Sequence, residues 1–130
     1  MDDLATPFHY VDLDRMSSNI DAMAAAARNL GVRLRPHAKT HKVPEIARLQ
    51  IAAGATGITL AKISEAEVFV DAGIDDVFVA YQIVSPAQVE RLVRLARRAK
   101  VRCAVDSREG AERLSRAATD AGVELGVLLE

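Results

Sequence analysis

Apolar residues follow two alternating patterns along this chain. From residue 16 onward, short runs rich in Val, Ile and Leu alternate with longer stretches in which apolar side chains recur every three or four positions. Short apolar runs bounded by turn residues predict strands, and the longer spacing predicts amphipathic helices. Predicted strands begin near residues 32, 57, 76, 101 and 123, and a predicted helix separates each strand from the next.

The ends of the predicted helices carry capping signals. Ser85 and Pro86 are suited to the N-cap and the first position of one helix. Ser64 and Glu67 have the spacing of a capping box. Residues 106–107, Asp-Ser, are a common N-cap pair and predict the start of the last helix.

Strands that alternate with helices predict a parallel sheet with right-handed crossovers, in either an open doubly wound sheet or a (β/α)8 barrel. A barrel takes roughly 250 residues, and this chain of 130 residues ends in the apolar run VELGVLLE. A five-stranded flavodoxin-like domain would need a further helix to cover that run. We therefore expect an α/β fold with about five βα units of an incomplete (β/α)8 barrel, in a chain that is a fragment of something longer.

The amino-acid composition argues against several classes of protein. The chain has 17 Lys and Arg against 18 Asp and Glu, which is typical of a soluble globular protein and gives no basic excess for binding nucleic acid. No apolar run approaches the roughly 18 residues of a membrane span, and the acidic start MDDLATPF is unlike a signal peptide. The single Cys103 excludes an internal disulfide and fits a reducing compartment, so we expect a cytoplasmic protein.

One short stretch departs from this neutral balance. RPHAKTHK, residues 35–42, holds five basic or imidazole side chains, which are Arg35, His37, Lys39, His41 and Lys42. Alternation along an extended segment would place the apolar residues on one face and Arg33, Arg35, His37 and Lys39 on the other. In a barrel, Lys39 would then lie at the C-terminal mouth, where barrel enzymes carry their chemistry.

A lysine in this setting suggests covalent chemistry. Partial desolvation among other cations makes a lysine easier to deprotonate, and the free amine can attack a carbonyl to form a Schiff base. The same charges would attract an anionic ligand such as a phosphorylated cofactor.

Two other interpretations of the stretch remain open. The basic residues could form a solvent-exposed strand end. His37 and His41 are four residues apart and could bind a metal from one helical face, although Pro36 and the predicted strand argue against a helix there. A third ligand, which a catalytic metal usually needs, is also lacking.

The whole chain resembles a known family. RPHAKTHK, preceded by TPFHYVDLDRMSSNIDAM and followed by GITLAKISEAEVFVDAGIDDVFVAY, is similar to the N-terminal part of the D-threonine aldolase and D-serine dehydratase group. These are pyridoxal-phosphate enzymes with an alanine-racemase type of barrel. The resemblance implies that Lys39 carries pyridoxal 5'-phosphate as a Schiff base and that the protein is a lyase for D-configured β-hydroxy amino acids.

The resemblance leaves two reactions open. Cleavage between Cα and Cβ would release glycine and an aldehyde, as in D-threonine aldolase, whereas loss of the α-proton and the β-hydroxyl would be a dehydration, as in D-serine dehydratase. A non-catalytic pyridoxal-phosphate barrel protein is the next alternative, and an inactive fragment is the last. The group also uses a divalent metal, whose ligands are expected in a C-terminal β-domain outside this chain.

The resemblance also divides the chain and adds weaker site candidates. Residues 1–15 are expected to form a strand that joins the C-terminal β-domain, and residues 16–130 the first part of the barrel. Arg35, His37 and Thr40 are candidate cofactor contacts beside Lys39, as is Gln82 at the end of the third predicted strand. The exposed edge of the last strand, VLLE, predicts pairing with a second copy, so a homodimer is expected.

Overall fold

The computed structural model describes residues 5–130 as one parallel sheet covered by helices. Its elements in chain order are α1 (Leu13–Asn29), α2 (Pro44–Ala52), β1 (Ile58–Leu60), α3 (Ile63–Asp71), β2 (Asp76–Gln82), α4 (Pro86–Ala96), β3 (Lys100–Val105), α5 (Arg108–Ala121) and β4 (Gly126–Leu129). None of the helices in this part of the chain combines the length and the apolar character that a membrane span requires.

The sheet has the topology of a βα barrel that is only partly built. Its four strands are all parallel and lie in the order β1-β2-β3-β4, so each strand pairs with the next one in the sequence. Helices α3, α4 and α5 form the three crossovers between them. All strands therefore end at the same edge of the sheet, called here the carboxyl edge, and begin at the opposite amino edge. The predicted α/β fold is confirmed.

The first predicted strand is reduced to an extended segment. Residues 32–38 run beside β1 and form one isolated parallel bridge, between His37 and Thr59. The Thr59 N–H donates to Pro36 O at 2.8 Å, and the Ala38 N–H donates to Thr59 O at 2.8 Å. Pro36 has no N–H to continue this ladder toward the amino edge. The prediction of a complete strand here was wrong for that reason, although its neighbour in the sheet is the expected one.

The core lies between the sheet and the helices. Its fully buried side chains include Phe69, Ile58, Leu60, Leu92, Val77, Val79 and Cys103. Burial raises the pKa of the Cys103 thiol to about 11, so the thiol stays protonated at neutral pH and is unreactive. Cys103 therefore fills space in the core, as its position in an apolar strand predicts.

Two of the three predicted helix caps are confirmed. Ser85 Oγ accepts from the Gln88 N–H at 3.4 Å, and Ser107 Oγ accepts from the Gly110 N–H at 3.2 Å. The predicted capping box at Ser64 was wrong, because α3 begins at Ile63 with Lys62 as its N-cap. The carboxylate that caps this helix is that of Glu65, three residues after Lys62.

The predicted N-terminal strand does not form within residues 5–15. Helix α1 begins at Leu13, where Asp12 Oδ1 accepts from the Arg15 N–H at 3.0 Å, so residues 13–15 are helical. Residues 5–12 form no strand in the described structure, and residues 1–4 of the prediction lie outside it. Pairing of this segment with a C-terminal domain stays a prediction.

An ion cluster joins three chain segments at the amino edge. Asp76, the first residue of β2, accepts from the Arg35 guanidinium at 2.8 Å and also pairs with Arg102 of β3. Glycine makes room for both arginines, because a Cβ at Gly57 would collide with the Arg35 guanidinium and one at Gly126 would lie 2.7 Å from Arg102 Cγ. The Asp76 side chain is only 20% exposed, so its charge is paired in a partly dry setting.

Removal of the Asp76 charge should destabilise the fold. We expect Asp76→Asn to lower the free energy of unfolding by about 1–3 kcal/mol, because two half-buried guanidinium groups lose their shared carboxylate. Asp71→Asn is the matched control, since Asp71 pairs with Arg98 but is 63% exposed and should cost about 0–1 kcal/mol. Urea unfolding followed by circular dichroism measures both variants, and equal losses would contradict the assignment.

Candidate functional site

Lys39 lies on a short turn at the carboxyl edge. The turn, residues 38–42, is called here the Lys39 turn, and it closes where the Lys42 N–H donates to Ala38 O at 2.9 Å. Ala38 is fully buried in the core, whereas Lys39 and Thr40 are exposed. The turn follows the bridge to Thr59 directly, so the pairing with β1 determines which edge of the sheet Lys39 occupies.

The predicted cluster of basic residues is dispersed in the structure. Arg35 binds Asp76 at the amino edge and is not brought together with Lys39. Lys42 pairs with Glu65 at 3.3 Å. Within residues 5–130, Lys39 forms no ion pair, so its ammonium is the one of these three cations that no carboxylate engages. Arg35 and Lys39 lie at opposite edges because the extended segment spans the sheet from one edge to the other. Whether they share a face stays a prediction.

His41 stabilises the end of the Lys39 turn. Its Nδ1 accepts from the Val43 N–H at 3.0 Å, and its ring centroid lies 6.5 Å from that of Phe69. Burial lowers the pKa of His41, which favours the neutral imidazole that this hydrogen bond requires. Metal binding by His37 and His41 finds no support, since the described residues contain no group of three or more His, Cys, Asp or Glu side chains that could hold an ion.

Glu65 connects the Lys39 turn to the start of α3. Its Oε2 accepts from the Ala61 N–H at 3.0 Å and the Lys62 N–H at 3.3 Å, while its Oε1 pairs with Lys42. Burial alone would raise the pKa of Glu65, but the hydrogen bond from Ala61 and the Lys42 ammonium outweigh it and hold the pKa below its ordinary value. Glu65 is therefore a carboxylate at neutral pH.

The other candidates lie at different distances from the carboxyl edge. Gln82 ends β2 at this edge, half-buried, and its Nε2 donates to Glu130 Oε2 at 2.9 Å. Thr40 is exposed on the Lys39 turn itself. His37 is exposed as well and lines a groove of about 360 Å³ between the extended segment and helices α1 and α2. Lys39, Thr40 and Gln82 therefore lie at the carboxyl edge. His37 lies beside that edge and lines the groove.

Two residues that hold the turn are not among the predicted site residues. Thr59 is a buried polar residue, and its backbone makes two of the hydrogen bonds to the extended segment. Glu65 looks from the sequence like an ordinary acidic residue near a helix start, stabilised by the helix dipole. In the sequence, the only signal for a second role of Glu65 is Lys42, three residues after Lys39. A basic side chain at that position can reach a carboxylate on the neighbouring βα connection.

Comparisons with known proteins identify the family of the chain. Residues 11–130 match the family model described as "Alanine racemase, N-terminal domain". A D-threonine aldolase from Arthrobacter sp is 45% identical over 125 residues, which cover 96% of this chain and 33% of that protein. The predicted resemblance to the D-threonine aldolase group is confirmed.

Solved structures give the same result. The crystal structure of D-threonine aldolase from Filomicrobium marinum superimposes with a TM-score of 0.94 at 44% identity, over 98% of this chain and 34% of that one. D-threo-3-hydroxyaspartate dehydratase from Delftia sp. HT23 gives a TM-score of 0.89 at 38% identity, over 98% and 34%. The chain thus spans about a third of the length of these relatives. Because residues 11–130 match its family model, the chain belongs to the alanine racemase N-terminal domain family.

Proposed function

We propose that the protein carrying this chain is a pyridoxal-phosphate-dependent lyase that cleaves D-configured β-hydroxy amino acids in the manner of D-threonine aldolase. The observation that supports it most is the position of Lys39, exposed on a closed turn at the carboxyl edge of a βα sheet and free of ion pairs within residues 5–130. The identity of 45% to an Arthrobacter D-threonine aldolase supports the same reaction class.

The residues at the carboxyl edge fit this cofactor. Pyridoxal phosphate presents an aldehyde, and Lys39 offers a primary amine that no carboxylate occupies in the described structure. Thr40 and Gln82 add a hydroxyl and an amide at the same edge, and His37 an imidazole beside it. Arg35 is committed to Asp76 at the other edge, so it is not proposed as a cofactor contact. The phosphate would be bound outside this chain, by loops that follow later strands of a barrel.

Lys39 has two tasks in the proposed reaction. Its amine would hold the cofactor covalently through the cofactor's aldehyde group. When bound, the cofactor would supply an electron sink for the pair left on Cα after a bond there breaks. The same amine would also lie close enough to the substrate at this edge to accept or return a proton.

The aldolase reaction balances without a further reactant. The Cα–Cβ bond breaks, the β-hydroxyl loses its proton and becomes the aldehyde oxygen, and Cα gains a proton to give glycine. A divalent metal near the β-hydroxyl is part of the proposal for the whole protein. Its ligands would come from outside residues 5–130.

Dehydration is the second candidate reaction. The TM-score of 0.89 to D-threo-3-hydroxyaspartate dehydratase favours it, since the two enzyme types share this part of the fold. Here Cα loses its proton to a base, which Lys39 can provide, and Cβ loses its hydroxyl as water. Hydrolysis then gives a keto acid and ammonia.

For the chain on its own, the proposed assembly is a homodimer, and the proposed compartment is the cytoplasm. Strand β4 is the last strand of the described sheet, and Val127 and Leu129 on it are 51% and 85% exposed. An apolar edge of this kind favours pairing with a second copy. The single cysteine, buried and reduced, fits a reducing compartment.

Cofactor trapping tests the role of Lys39. After incubation of the chain with pyridoxal phosphate and reduction with borohydride, peptide mass spectrometry should find the pyridoxyl group mainly on Lys39. Lys39→Met should remove this label, whereas Lys62→Met, the matched control at an exposed lysine of the same edge, should leave it. Equal labelling of Lys39, Lys42, Lys62 and Lys100 would contradict the proposal.

Product analysis distinguishes the two reactions. With D-threonine and pyridoxal phosphate, glycine and acetaldehyde should form in equal amounts, L-threonine should give neither, and Lys39→Ala should lower the rate at least about a hundredfold. The chain alone should turn over slowly, because the phosphate and metal ligands are proposed to lie elsewhere. Formation of ammonia and a keto acid without glycine would identify a dehydratase instead.

Gel filtration tests the homodimer. The chain should elute at twice the monomer mass, and Val127→Lys should shift it to the monomer because the charge would be buried at the β4 edge. Val68→Lys is the control, since Val68 is 55% exposed on α3 and away from that edge. A monomer at every protein concentration would refute the dimer.

A further inference from the structure

The Lys39 turn contacts a neighbouring connection at a single carboxylate. The turn ends at Lys42, whose Nζ lies 3.3 Å from Glu65 Oε1. Glu65 Oε2 accepts from the N–H groups of Ala61 and Lys62, which form the connection between β1 and α3. Both oxygens of one side chain are therefore used, and they join the end of the turn to the end of β1.

Lys42 has an unusual backbone conformation at this point. Its φ is 54°, in the left-handed region, where residues other than glycine are uncommon. Such a conformation persists when surrounding contacts require it. Two contacts do so here, the hydrogen bond from the Lys42 N–H to Ala38 O and the ion pair of its side chain with Glu65.

We propose that Glu65 is a positioning residue, which holds the Lys39 turn against the β1–α3 connection through Lys42 and so fixes the direction of the Lys39 amine. The proposed effect on the Lys39 amine rests on the proposed function, whereas the contact between Glu65 and the Lys39 turn does not. Helix capping accounts for the contacts of Glu65 with Ala61 and Lys62 but not for the contact with Lys42, which lies on a different segment.

Loss of the Glu65 carboxylate should affect the Lys39 turn and leave the overall stability of the fold nearly unchanged. The Lys42 side chain is 60% exposed, and an ion pair to such a group adds little to overall stability. Buried Ala38 and half-buried His41 anchor the turn on its inner side, whereas Lys39 and Thr40 are exposed and the Lys42 side chain contacts only Glu65 among the ion pairs of the described residues. Loss of the carboxylate should therefore loosen the turn while the sheet and its core stay intact.

Glu67 provides a matched control on the same helix. Like Glu65, it lies in the first turns of α3 and pairs with a cationic side chain, which is that of Arg91 in α4. That pair joins two helices on the outside of the sheet and does not involve the Lys39 turn. Glu67→Gln thus removes a comparable charge without changing the contact under test.

Hydrogen–deuterium exchange of the cofactor-free chain tests the position. We expect Glu65→Gln to raise the amide exchange rate of residues 38–43 about two- to fivefold, with exchange in β2 and β3 unchanged. Lys42→Met should reproduce this change and serves as the second variant if Glu65→Gln does not fold. Glu67→Gln should leave residues 38–43 as in the unmodified chain. Equal exchange in the Glu65 and Glu67 variants would overturn the proposal.

Cofactor trapping tests the consequence for Lys39. With an unchanged unfolding midpoint, Glu65→Gln should lower the share of pyridoxyl label on Lys39 relative to Lys100 several-fold, and Glu67→Gln should not. A loss of label that merely follows the unfolding midpoint would overturn the proposal in favour of a structural role. If Lys39 of the unmodified chain takes no label, the proposed function fails, and the exchange comparison still decides the role of Glu65.

Discussion

The two backbone hydrogen bonds of Thr59 determine where Lys39 lies. They pair the extended segment with β1 in parallel, and that pairing sets its register as well as its direction. A shift of one residue would exchange the faces of the segment, so that Ala38 would leave the core and Lys39 would enter it. Because Ala38 is fully buried, such a shift would place a lysine in a site that accommodates only a methyl group.

The two edges of the sheet serve different purposes as a result. At the amino edge, Arg35, Asp76 and Arg102 form a charge cluster that ties the extended segment to β2 and β3. At the carboxyl edge, Glu65 ties the Lys39 turn to the β1–α3 connection and leaves the Lys39 amine unpaired within residues 5–130. In βα barrels generally, the amino edge stabilises the fold and the carboxyl edge carries the chemistry, and we propose the same division for this sheet.

Sequence patterns predicted the fold better than the site. Periodicity and capping residues such as Ser85 and Ser107 identified the helices, because local chemistry decides where a helix begins. Lys39 was singled out by its motif, and its role stays a prediction. The sequence did not separate Arg35 from Lys39, because alternation predicts a face of the sheet but not a position along a segment that crosses it. Glu65 was underestimated, since its partner Lys42 lies 23 positions away and only the folded chain brings them together.

We propose that the fold presents the Lys39 amine at the carboxyl edge for covalent attachment of a cofactor. A crystal structure of the chain after incubation with pyridoxal phosphate and reduction tests it most directly, since it shows both the attachment point and the position of the ring. The account predicts continuous density from Lys39 Nζ to a ring that lies over the carboxyl edge, near Thr40 and Gln82. A ring attached to another lysine, or one that lies in the groove beside α1, would contradict it.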